Sequence, residues 1–152
     1  IEDLKRKEQT LETARDSIDS SFTYQFEGKR FLLAEDNEIN AMIVIELLAR
    51  RGAAVDRAEN GQAVVERFQS MPTGTYDAIL MDIQMPVLNG WEAAEQIRGL
   101  NHEDAAVIPI IALSANDYTE DVERSRSVGM NGHVGKPIDM DVLAGVLSAI
   151  SF

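Results

Sequence analysis

From Lys29 onward the chain repeats one alternation: a short apolar run, then a stretch whose apolar residues recur at helical spacing. The runs are RFLLA (30–34), AVDRA (54–58), DAILM (77–81), VIPIIAL (107–113) and GHV (132–134). The helical stretches are marked by Ile39, Ile43, Leu47 and Leu48; by Ala63, Val64, Phe68 and Met71; by Trp91, Ala94 and Ile97; by Tyr118, Val122, Ser125 and Val128; and by Val142, Leu143, Val146, Leu147 and Ile150. Strands joined by helical crossovers run parallel, and a parallel sheet must be covered on both faces. Right-handed crossovers then give an α/β, doubly wound, five-stranded parallel sheet.

Local chemistry marks the same edges. Asn60 stands where a helix N-cap is needed, Asn89 with Glu92 has capping-box spacing, and Asp139 can cap the last helix after Pro137. Gly52 and Gly129 sit where helices should stop. Residues 1–28 read differently. They are highly charged, and Leu4, Leu11 and Ile18 recur every seven residues, with mostly polar companions at Ile1, Glu8 and Arg15. The expectation is a linker or helical extension over 1–28 and one folded domain over 29–152.

Composition narrows the function. A formal net charge of −12 argues against a basic footprint for nucleic acid or an anionic membrane. No apolar run reaches the ~20 residues that span a bilayer. With no cysteine and only His102 and His133, a zinc site is not expected, and the absence of thiols suits a cytoplasmic setting.

In an open parallel sheet, ligands bind beyond the carboxyl ends of the strands. The first strand runs into Glu35-Asp36-Asn37, the third ends in Asp82, the fourth in Ser114, and the fifth is followed by Gly135-Lys136-Pro137. Three carboxylates at one edge repel one another and call for a cation, and hard oxygen ligands suit Mg²⁺. The metal and Lys136 could equally neutralise a phosphoryl group, with Asp82 as nucleophile and Ser114 as hydrogen-bond donor.

These motifs, LAEDNEIN (33–40), MDIQMP (81–86) with Asn89-Gly90, IALSA (111–115) and GKP (135–137), resemble those of response-regulator receiver domains. The wording is most like receivers attached to hybrid sensor histidine kinases. The resemblance implies a flavodoxin-like (βα)5 fold with strand order 2-1-3-4-5. It implies that Asp82 accepts a phosphoryl group from the phosphohistidine of a histidine kinase or a histidine phosphotransfer domain. Asp36, Glu35, Asp82 and the backbone carbonyl of Gln84 would hold Mg²⁺, Ser114 would be the switch hydroxyl, and Lys136 would bind a phosphoryl oxygen. Pro86 and Gly90 would shape the loop after the acceptor. Homodimerisation through the fourth and fifth helices is a family option. The chain would be a fragment of a hybrid kinase, whose parent can be membrane-anchored, or alternatively a stand-alone regulator.

Two positions depart from the commonest family pattern. The switch hydroxyl is Ser rather than Thr, and His133 replaces the usual Tyr or Phe three residues before the lysine. His133 is expected to be exposed on a short edge strand. Trp91, Met81 and Met85 are read as core or loop packing and none is assigned to the site. A Mg²⁺-dependent phosphatase would need a second acid two residues after the nucleophile, where Gln84 stands. A flavin or nucleotide binder would need a glycine-rich cradle after the first strand, where Glu-Asp-Asn stands. A degenerate receiver acting only in docking would not need all of these pocket residues.

Overall fold

A computed structural model describes residues 25–115 and 119–150. The heptad-spaced segment that carries Leu4, Leu11 and Ile18 lies outside the described residues, as does Tyr118. Strands β1 (Arg30–Ala34), β2 (Ala54–Ala58), β3 (Ala78–Asp82), β4 (Ile110–Ser114) and β5 (Gly132–Gly135) alternate with helices α1 (Glu38–Ala49), α2 (Gly61–Ser70), α3 (Gly90–Arg98), α4 (Thr119–Ser127) and α5 (Met140–Ser148). All strand pairs are parallel and the order is β2-β1-β3-β4-β5, as the family resemblance implied. Among the described residues no helix is long and apolar enough to cross a membrane.

Strand alternation divides the core in two. Phe31, Leu33, Leu80, Ile111 and Leu113 point to one face, where they meet Ala41, Val44 and Leu48 of α1 and Leu143 and Leu147 of α5. Leu32, Ala34, Ile79, Met81, Ile110 and Ala112 point to the other, against Val64 and Phe68 of α2 and Ala94 and Ile97 of α3. Every residue of β3 and β4 is buried, which is why those runs read as continuously apolar. Each fully buried Leu, Ile or Phe contributes roughly 1.5–3 kcal/mol of transfer free energy.

The helix edges follow the capping chemistry. Asn60 Oδ1 accepts from Ala63 N–H, Asp139 caps α5, and the reciprocal capping box between Asn89 and Glu92 is formed at both ends. Asn37 caps α1 by accepting from Asn40 N–H at 2.9 Å. Gly52 and Gly129 follow their helices with φ of +92° and +95°, a conformation that strongly favours glycine.

Three expectations need correction. Strand β4 begins at Ile110 rather than 107, because Val107 and Ile108 donate their N–H groups to Asp104 C=O in a turn and Val107 is exposed. Strand β3 begins one residue late, since the Asp77 carboxylate accepts from Arg30 N–H. In α1 the buried residues are Ala41, Val44 and Leu48, while Ile39 and Ile43 are 68% and 49% exposed.

Candidate functional site

The sheet register assembles the site before any side chain is considered. Ala34 of β1 pairs with Met81 of β3, so the next residues along, Glu35 and Asp82, are neighbours. Asp82 pairs with Leu113 of β4, and Ser114 pairs with Gly135 of β5, one residue before Lys136. Lys136 N–H donates to Ser114 C=O at 2.8 Å, which ties the fourth and fifth strand ends together. The Lys136–Pro137 peptide is cis.

Side chains then converge. The Lys136 ammonium donates to Glu35 Oε1 at 2.8 Å and to Asp82 Oδ2 at 3.0 Å. Glu35 Oε2 accepts from Asn37 N–H, and Asp82 Oδ1 accepts from Gln84 N–H, each at 3.1 Å. Glu35, Asp82 and Ser114 are buried, whereas Asp36 is exposed at the rim. Carboxylate oxygens of Glu35, Asp36 and Asp82 all lie within 4.8 Å of one another.

One ammonium therefore serves two of the three carboxylates, Glu35 and Asp82. Burial is the main reason the Asp82 carboxyl is pushed up to about 6, and the Glu35 carboxylate adds to it. The Lys136 ammonium and Gln84 N–H pull the other way without winning. For Lys136, burial alone would lower the pKa, but the bonds to Glu35 and Asp82 hold it above the ordinary lysine value. Three close oxygen donors with this charge deficit fit Mg²⁺, which accepts few protein ligands and retains water.

The loop after Asp82 is held tightly. Gly90 N–H donates to Ile83 C=O at 2.8 Å, and a Cβ at Gly90 would collide with the Asp82 carbonyl oxygen. Only glycine lets α3 start this close to the acceptor strand. Val87, at the exposed tip, has φ of +71°, which is strained for a β-branched residue.

A cavity of about 480 Å³ opens beside these residues. Asp36, Gln84 and Ser114 line it, and so do Met85, Trp91 and Asp121. Met85 and Trp91 pack against the core, as expected, and in addition line this cavity; Met81 is fully core. The signal was the Gly90-Trp91 pairing, because a residue directly after the glycine packed on Asp82 cannot be far from the pocket. Asp121 carried no sequence signal. His133 is half-buried rather than exposed on the edge strand β5.

Residues 31–148 match the family described as "Response regulator receiver domain". The chain is 33% identical over 151 residues to the peroxide stress-activated histidine kinase mak1 of Schizosaccharomyces pombe, covering 99% of this chain and 9% of that kinase. It thus spans less than a tenth of that relative's length. Among solved structures it is similar to the receiver domain of the sensor histidine kinase PA1611 of Pseudomonas aeruginosa, which has a magnesium ion in its active-site cleft. The TM-score is 0.71 and the identity 35%, covering 80% of this chain and 96% of that one. The receiver domain of Saccharomyces cerevisiae Ssk1, solved with the histidine phosphotransfer protein Ypd1, is similar with a TM-score of 0.70 and 31% identity, covering 78% and 86%. The chain belongs to the response regulator receiver domain family, the phosphoryl-receiving part of two-component signalling.

Proposed function

We propose that Asp82 accepts a phosphoryl group from a protein phosphohistidine in a Mg²⁺-dependent transfer, and that the chain is the receiver of a hybrid histidine kinase. The observation that carries this is the Lys136 ammonium shared between Glu35 and Asp82 within a cluster of three carboxylates. An Asp82 oxygen forms a bond to phosphorus as the phosphorus–nitrogen bond of phosphohistidine breaks, and the electron pair returns to the imidazole. Glu35, Asp36, Asp82 and the Gln84 carbonyl would hold the metal, which supplies charge neutralisation for the transferring group. Lys136 can turn from Asp82 to a phosphoryl oxygen, and Ser114 can donate to another. The wall residue Gln84 is no acid, which favours a single self-directed transfer over turnover on free phosphomonoesters.

The partner reading has its own support. Ile39, Met42 and Ile43 leave an apolar patch on α1, and Ile43 also borders a groove that runs to Lys136, Pro137 and Ile138. A helical phosphotransfer domain seated there would bring its histidine over the carboxylate cluster. We further propose a cytoplasmic setting and a domain that begins near Lys29, with Phe26 just before it already packed in the same core.

Intact mass after incubation with acetyl phosphate and Mg²⁺ tests the reading. Wild type should gain one phosphoryl group, Asp82→Asn none, and EDTA should abolish the gain. Uptake by Asp82→Asn equal to wild type would sink the assignment.

A further inference from the structure

Trp91 bridges the start of α3, beside the acceptor strand, and α4, which follows the neighbouring strand β4. On one side it follows Gly90, whose backbone is packed against the Asp82 carbonyl, so the tryptophan is registered to the acceptor strand. On the other side its Nε1–H donates to Ser125 Oγ of α4 at 2.9 Å. Ser125 is only 2% exposed, a polar group buried in the α3–α4 seam. The Arg124 guanidinium lies over the same ring, 4.4 Å from its centroid. Ser114 ends β4, and α4 is the next element in the chain. Trp91, Ser114 and Asp121 of α4 all border the one cavity beside Asp82. Whatever enters that cavity meets both ends of this connection.

We infer that Trp91 and Ser125 form the joint that couples the occupancy of the Asp82 pocket to the placement of α4. They are positioning residues, acting through the helix and not on the phosphoryl group. The inference rests on the proposed phosphorylation of Asp82. The Ser125 hydroxyl is buried at this contact, so breaking the bond is costly and the joint is either bonded or broken.

Amide hydrogen exchange across α4, with intact mass on the same samples, tests this. In the unphosphorylated protein, Ser125→Ala and Trp91→Phe should each speed exchange in α4 about fivefold while leaving Ile79–Met81 unchanged. The double variant should be no faster than the faster single, since both remove one bond. Unchanged α4 exchange in the singles, or fully additive effects, would overturn the joint. In wild type with one phosphoryl group gained, α4 exchange should change at least twofold, and the emission of Trp91, the only tryptophan, should shift. In Ser125→Ala with the same mass gain, that α4 response should fall below half. A full response in Ser125→Ala overturns the inference alone. No mass gain in wild type overturns the phosphorylation reading and removes the role built on it.

Discussion

Two aspartates of the sheet, Asp56 and Asp82, meet cations in opposite ways. Asp56, on the edge strand β2, accepts from the Tyr76 hydroxyl at 2.7 Å and from Arg30 at 3.0 and 3.1 Å, with Arg67 at 3.5 Å. Burial pushes its carboxyl up, but the Tyr76 and Arg30 bonds outweigh that and leave it below the usual aspartate value. Asp82 is more deeply buried, shares its one ammonium with Glu35, and sits well above that value. The first carboxylate is satisfied and holds an edge strand to its neighbours. The second is short of positive charge, which is the state a metal ion and a phosphoryl group can relieve. A buried ion pair thus marks function here only where its charge count fails to close.

The largest expected effect breaks this contrast at its cation. Lys136→Gln should cut phosphoryl uptake from acetyl phosphate by about 100-fold, read by intact mass over time, because Glu35 and Asp82 lose their shared counter-charge. Uptake within threefold of wild type would show that Lys136 is not used. Asp82→Asn should act on stability with the opposite sign to most core changes. The folded carboxyl binds its proton up to about pH 6, the unfolded one only to its ordinary value of 3.8. Between those values the folded state holds the extra proton, so wild-type stability falls as pH rises across that window. Denaturant melts should therefore show Asp82→Asn more stable by about 1–3 kcal/mol at pH 7, with the gap closing toward pH 4.

Asp56→Asn should do the reverse. Its carboxyl is depressed, so its stabilisation is present above the ordinary aspartate pKa and lost as pH falls through the lower folded value. The variant should lose about 1–2 kcal/mol at pH 7, less in acid, with phosphoryl uptake unchanged. A loss of uptake would mean that the two carboxylates are coupled. The smallest effect concerns Val87, where replacing a β-branched residue at φ +71° by Asn should stabilise by about 1 kcal/mol in the same melts.

Much of this was legible because it depends on neighbours in the chain. Caps at Asn60, Asn89 and Asp139 are contacts across three residues or fewer, and strands β1 and β2 are found at the limits their apolar runs set. Helix α1 is ambiguous in the sequence because it is apolar on nearly every side. Ile39, Ile43, Leu47 and Leu48 make as good a stripe as Ala41, Val44 and Leu48, and only the sheet beneath chooses between them. The Trp91–Ser125 bond joins residues 34 apart in the chain, so no local pattern announces it.

The sequence by itself determined the alternation of strands and helices, the caps that bound them, and which chemical groups follow each strand, since all of these are local. Tertiary structure alone decided that Lys136 reaches Glu35, 101 residues away, and Asp82, 54 residues away, at the same time. It also decided that Asp82 is short of cations while Asp56 is not. Burial and charge balance are properties of what surrounds a residue in space, and parallel register, set by the whole core, places those surroundings.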